Sequence, residues 1–201
     1  MTSFKTTRLL LVRHGQSIAN AERRVQGWAN DPLSELGQQQ AQRLAEWMQQ
    51  HYTHADVLYA SPLRRAYQTA ELVGMALGLS VQTRDGLKEV HVGDLEDSDD
   101  HQFNQAMATL TDLDVVGGES LPTFTERVVG TLHGLLAVND GRTIVVAAHL
   151  GVIAVALAYW FDRDASLAWQ KYGRIRNTSM TELLFHDRVE LLRHGDMPHL
   201  E

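Results

Sequence analysis

The 201-residue chain contains no cysteine. Disulfides, thiolate zinc sites, iron–sulfur clusters and a cysteine nucleophile are therefore excluded. It also lacks any low-complexity tract or linker, so one domain is expected, spanning residues 1–201. The N-terminal apolar run, Leu9–Val12, is too short for a signal peptide or a spanning helix, so a cytoplasmic location is expected. Cations are in the minority: 18 Lys and Arg face 25 Asp and Glu, a formal net charge of -7. That balance argues against nucleic acid or an anionic membrane as a general partner, while leaving room for a local basic pocket. What the chain does have is an ordinary globular composition, 44% hydrophobic and 21% charged, with enough length for a real core.

Hydrophobic patterning divides the chain into alternating strands and helices. Arg8–Val12 is the first strand, and its unbroken apolar run suits a strand buried on both faces. Ser17–Arg24 reads as a short helix or turn, and Gln26–Pro32 as loop. Ser34 can cap a helix from about Glu35 to Gln50, with Leu36, Ala41, Leu44, Ala45 and Met48 at helical spacing. Val57–Ala60 is a second strand. Pro62 can open the helix that follows, which stops at Gly78. Leu79–Thr83 is the expected third strand. Residues 86–118 are acidic and glycine-punctuated, with a short helix near Gln102–Leu110, and read as a lid-like insertion. Glu119–Val138 is helical, Thr143–Ala148 is the most apolar strand, and Gly151–Phe161 is a further helix. Met180–Phe185 and Val189–Leu192 flank a turn and form a terminal hairpin. The alternation implies a three-layer α/β sandwich with a mostly parallel central sheet.

In open α/β sheets, ligands bind beyond the carboxyl ends of the strands. Three such ends carry chemistry here: Arg13-His14, Ser61-Pro62-Leu63-Arg64-Arg65, and His149. Two histidines with one or two arginines suit a dianion, most simply a phosphoryl group. The helix that starts after His149 adds backbone N–H donors.

These segments carry a resemblance. Leu11–Asn20 (Leu-Val-Arg-His-Gly-Gln-Ser-Ile-Ala-Asn) resembles the signature of the histidine phosphatase superfamily, the phosphoglycerate mutase-like fold. Ser61–Ala70 is similar to its second motif, Gly118-Glu119-Ser120 to the element before its penultimate long helix, and Ala147-Ala148-His149 to its third motif. Asp31–Gly37 is also typical, and the matches run in order along nearly the whole chain. The resemblance implies that His14 is the nucleophile, forming a phosphohistidine. Arg13, Arg65 and His149 would hold the phosphoryl oxygens, with Arg65 preferred to Arg64 because it directly precedes the alanine. Asn20 would complete the pocket, and Gln26 and Gly27 would border the substrate. Glu89 falls where the family keeps its proton donor, with Asp94, Glu96 and Asp97 as nearby rivals. Two positions depart from the pattern. Leu150 replaces the usual glycine after the second histidine but keeps its backbone N–H for a phosphoryl oxygen. Asp97 stands where many relatives have glycine.

Such a set matches what phosphomonoester hydrolysis demands. Accelerations of up to ~10²¹-fold are known for this slow reaction, and no single effect supplies them. A covalent intermediate divides the displacement, fixed cations stabilise the transferring group, and a carboxylic acid protonates the leaving oxygen. The expected function is a phosphatase for small phosphorylated metabolites that requires no metal and no cofactor. A cofactor-dependent phosphoglycerate mutase is the main alternative. The 60 positions from Glu89 to His149 (149 minus 89) are fewer than the family's mutases usually carry. A non-catalytic phospho-ligand binding protein is the third reading. A homo-oligomer is compatible with the sequence. A second Arg-His-Gly, at 193–195, has only six residues after it and reads as coincidence at the end of the last strand.

Overall fold

The computed structural model describes residues 5–107 and 113–201. Six strands form one sheet: β1 (Thr7–Arg13), β2 (Val57–Ala60), β3 (Val81–Thr83), β4 (Thr143–Ala148), β5 (Met180–Phe185) and β6 (Val189–Asp196). Their spatial order is β3-β2-β4-β1-β5-β6. The first four strands of that order run parallel, and β5 and β6 add an antiparallel flank. The helices are α1 (Ile18–Ala21), α2 (Glu35–His51), α3 (Arg64–Leu77), α4 (Asp100–Met107), α5 (Leu121–Val138), α6 (Leu150–Leu157) and α7 (Ala168–Tyr172).

Strand periodicity builds the layers. Successive residues of β1 point to opposite faces. Leu9 and Leu11 join Phe124, Val128 and Leu132 of α5 and Val152 and Ile153 of α6. Leu10 and Val12 instead join Leu44 and Met48 of α2 and Ala70 and Val73 of α3. Each of these side chains is essentially inaccessible to solvent, a burial worth roughly 1.5–3 kcal/mol apiece. The result is a mixed α/β sheet with helices on both faces, and the central strands β4 and β1 have apolar cover above and below.

Several boundaries differ from the pattern-based expectation for identifiable reasons. The Leu79 N–H bonds back to the Gly74 carbonyl (2.9 Å) after Gly78 takes a left-handed φ of 68°, so Leu79 closes α3 and β3 starts only at Val81. Pro62 precedes α3, whose cap is Leu63; the Arg64 N–H is satisfied by Asn30 Oδ1 (2.7 Å). In α2, Leu36 is half exposed and Gly37 takes the inward place. A Cβ at Gly37 would collide with the Gln16 backbone oxygen, so only glycine lets α2 lie against the loop after β1. Ser120 caps α5 through the Thr123 N–H, which starts that helix at Leu121 and leaves Glu119 outside it. α6 begins at Leu150, and its continuation widens into a π-helical turn over Ala158–Asp162 that seats Trp160 edge-on against Phe185 (5.0 Å). Between Arg84 and Gly118 the described chain holds short 3-10 turns and α4, which overlaps the helix expected near Gln102–Leu110; residues 108–110 of that expectation lie outside the described residues. The second Arg-His-Gly sits in edge strand β6, where Arg193 pairs with Glu182 (2.8 Å) and His194 meets Thr181 (3.0 Å). No described helix is long and apolar enough to cross a membrane.

Candidate active site

Strand register brings the chemistry together. β1 and β2 both flank β4, and Arg13 lies level with Ala148 while Ala60 lies level with Ala147. The next residue in each chain therefore emerges at one edge: His14, His149 and Ser61. The His14 N–H bonds to Ala148 O and the Ser61 N–H to Ala147 O, both at 3.0 Å, extending the ladder by one residue.

His14 is 3% exposed and its ring meets that of His149 edge-on, with centroids 5.2 Å apart. Its Nδ1 lies 2.7 Å from the Gly15 carbonyl oxygen. A carbonyl can only accept, so Nδ1 carries the proton and Nε2 carries the lone pair. Burial, then the charges of Arg65 and Arg13, hold the His14 pKa well below the ordinary imidazole value. The loop is fixed by its backbone. The Gly15 N–H donates to Thr69 Oγ1 (3.0 Å), whose hydroxyl donates to Arg65 O (2.8 Å), and Asn177 Nδ2 donates to His14 O (3.0 Å).

Two guanidiniums flank this ring. Arg65 is 1% exposed and donates from its two terminal nitrogens to Ala29 O (2.7 Å) and Gly27 O (2.9 Å). Burial brings its pKa down to about 10, which still leaves it a cation at neutral pH. Arg13 donates to Ile175 O (2.7 Å). In both arginines Nε is buried and has no partner among the described residues. His149 shares that condition. Its Nε2 lies 2.8 Å from Ser61 Oγ, while its Nδ1 is buried and unpartnered among the described residues. Burial first, then Arg65, His14 and Arg13, push the His149 pKa well down. Three buried nitrogens thus have no partner among the described residues, a costly arrangement unless a ligand supplies one.

Glu89 meets the same group of residues from the loop above α6. Its Oε2 accepts the Gly151 N–H (3.0 Å) and its Oε1 the Val90 N–H (2.9 Å). A Cβ at Gly151 would strike Glu89 Oε1, so glycine at the second position of α6 makes room for the acid. Among the rivals, Asp94 and Asp97 are exposed, and Asp97 is engaged by Arg24. Glu96 accepts the Trp28 backbone N–H (2.6 Å). Arg64 is exposed and its side chain turns to solvent, unlike Arg65.

The remaining expected residues fall nearby. Asn20 Oδ1 accepts from the Ser17 N–H (3.3 Å) and from Asn177 Nδ2 (3.2 Å), which ties it to the His14 loop. Gln26 is 8% exposed with its Oε1 buried and unpartnered among the described residues, beside Gly27 whose carbonyl holds Arg65. Leu150 is the first residue of α6, directly after His149, and its side chain packs against the core. Asp97 adopts a left-handed φ of 63°, the region where glycine is cheapest and aspartate is tolerated, which accounts for the glycine of the family pattern.

Reading the sequence alone missed four contributors. Ser61 and Thr69 lay in a quoted motif without an assigned task. Asn177 lies far along the chain and has no local signal. Arg127 is partly buried beneath the Glu89 loop, and its one visible sign is a charge inside the core-facing stripe of α5 between Phe124 and Val128.

A family model, histidine phosphatase superfamily (branch 1), matches residues 9–196. The chain belongs to this superfamily. Within it, the chain is 33% identical over 205 residues to Phosphoglycerate mutase-like protein 4 of Arabidopsis thaliana, covering 96% of this chain and 86% of the relative. It is 29% identical over 208 residues to "Probable phosphoglycerate mutase GpmB" of Salmonella paratyphi A, covering 95% and 94%. Among solved superfamily structures, a mycobacterial glucosyl-3-phosphoglycerate phosphatase in complex with VO3 superposes with a TM-score of 0.82 at 30% identity, covering 94% of this chain and 99% of that one.

Proposed function

We propose that the protein hydrolyses small phosphomonoesters through a phosphohistidine on His14. The observation that carries this reading is an imidazole enclosed beside two guanidiniums, its pKa held well below the ordinary value by burial, then by Arg65 and Arg13, with its Nδ1 proton fixed on Gly15 O. Nε2 is then a ready nucleophile at neutral pH. Arg13 Nε, Arg65 Nε and His149 Nδ1 supply the unpaired donors a phosphoryl group requires, and they stabilise charge on its oxygens during in-line transfer. The Leu150 N–H, at the start of α6, adds a backbone donor. Glu89 protonates the leaving oxygen, then as carboxylate takes a proton from the water that hydrolyses the phosphohistidine. Asn20, Gln26 and Gly27 border the substrate, and residues 86–118 act as the lid that shapes its pocket.

Purified protein is expected to release phosphate from p-nitrophenyl phosphate without added metal, and His14→Ala to abolish release. Undiminished activity in His14→Ala, or turnover that depends on added metal, sinks the mechanism. The relatives named as mutases favour one second reading, a cofactor-dependent phosphoglycerate mutase. It predicts robust interconversion of 3- and 2-phosphoglycerate in the presence of bisphosphoglycerate. The phosphatase reading predicts slow or absent interconversion and net release of phosphate.

A further inference from the structure

Arg127 stands behind the site, 21% exposed; its charge is the least of the named causes that lower the His149 pKa, and its hydrogen bonds go elsewhere. Its contacts converge on the backbone that carries Glu89. Nη1 donates to Gly86 O (3.1 Å) and Lys88 O (3.0 Å), and Nη2 donates to Glu89 O (3.2 Å). The other two bonds go to Glu119, from Nε (2.8 Å) and from Nη2 (2.5 Å). A guanidinium has five N–H donors, and these five bonds use them all. Glu119 then grips the loop beyond the acid. Its carboxylate accepts the His91 N–H (3.1 Å), and its own N–H donates to His91 O (2.8 Å). The pair therefore holds the chain at residues 86, 88, 89 and 91, on both sides of the Glu89 side chain. Trp28 Nε1 donates to the same Glu89 carbonyl (2.7 Å), which links the loop bearing Arg65's acceptors to the loop bearing the acid.

We propose that Arg127 and Glu119 form a positioning clamp that sets the Glu89 carboxyl at the leaving-group oxygen; this rests on the reading of Glu89 as proton donor. As the P–N bond to His14 Nε2 forms, the P–O bond to the leaving group breaks and the Glu89 proton passes to that oxygen. A carboxyl displaced by about an ångström loses this transfer, while attack by His14 is untouched. Lysine cannot replace Arg127, because it keeps the charge but offers three donors from one point.

The test is a leaving-group comparison on the full chain, using kcat/KM for phenyl phosphate, which needs protonation, and for 2,4-dinitrophenyl phosphate, which leaves without it. Glu89→Gln, Arg127→Lys and Glu119→Gln are measured together. The clamp predicts that Arg127→Lys and Glu119→Gln lose about 10- to 100-fold on phenyl phosphate, and less than about threefold on the activated ester, following the pattern of Glu89→Gln. Retained turnover of the activated ester also shows that the variants are folded. If Glu89→Gln shows the split but both clamp variants lose activity equally on the two esters, or lose none, the clamp is wrong and the acid assignment stands. If Glu89→Gln itself shows no split in an active phosphatase, the acid assignment fails and the clamp with it.

Discussion

His14 is enclosed by groups that make its protonation costly: low accessibility, then Arg65, then Arg13. A histidine of this kind keeps a free ring nitrogen well into acid, as the proposed nucleophile must. The acidic limb of kcat/KM, corrected for ionisation of the substrate, is accordingly expected well below pH 6.5, the ordinary imidazole midpoint. Arg65→Gln removes the charge with the larger effect on His14 and should move that limb upward, part of the way to 6.5, since burial remains the leading cause. A limb at 6.5 in the unaltered protein would contradict the assignment. A second residue-level expectation concerns Asp97, whose φ of 63° costs an L-residue roughly 1–2 kcal/mol. Asp97→Gly removes that strain together with the exposed pairing to Arg24, and should leave the unfolding midpoint in urea unchanged or higher. Asp97→Val puts a branched side chain in the same backbone state and should cost about 1–2 kcal/mol. Equal midpoints for the two variants would show that backbone strain is not what matters there.

The element that governs the site is the first turn of α6, where His149, Leu150 and Gly151 serve three different partners. Gly151 receives Glu89 at its N–H and at its missing side chain. Gly151→Ala is a good change for an isolated helix, since alanine outranks glycine in helix propensity by about 1 kcal/mol. Here it should displace the Glu89 carboxyl and lower turnover of phenyl phosphate by about 10- to 100-fold, with little loss of thermal stability; full activity would show that the acid does not depend on this contact. The elements themselves were readable because hydrophobic period and capping residues are local signals. Ser34 and the Leu9–Val12 run announced their structures, and motif order announced which residues meet at the strand ends. What stayed unreadable was long-range. Gly37 displaces Leu36 from the inner face of α2 because of a contact with Gln16, 21 positions away, and Leu79 closes a helix when its pattern suggests a strand. Arg127 serves carbonyls 38 to 41 positions earlier, which no periodicity within α5 reports.

At the scale of the whole molecule, the site makes stability depend on pH. His14 and His149 both have folded-state pKa values well below 6.5, and burial lowers His199 to about 4. The folded protein resists protonation at these positions, whereas the unfolded chain takes up protons near pH 6.5. In the window below 6.5 the unfolded state therefore binds more protons, and stability rises with pH there. The stabilisation associated with neutral histidine is complete above about pH 6.5 and is lost as pH falls toward the folded-state values. Each fully buried group contributes a slope of at most about 1.4 kcal/mol per pH unit, and His199, being only partly shielded, contributes less. The carboxylates act lower. Hydrogen bonds and the charge of Arg127 outweigh burial and depress Glu119, so its contribution is present above its ordinary value of 4.5 and fades below it. Urea denaturation between pH 8 and 5 should thus show stability falling from about pH 6.5, above the carboxylate range. In His149→Asn the slope between pH 6 and 5 should flatten by up to one proton's worth. If the slope in that variant equals that of the unaltered protein, the buried histidines are not the source of the acid sensitivity, and burial does not hold their pKa values down.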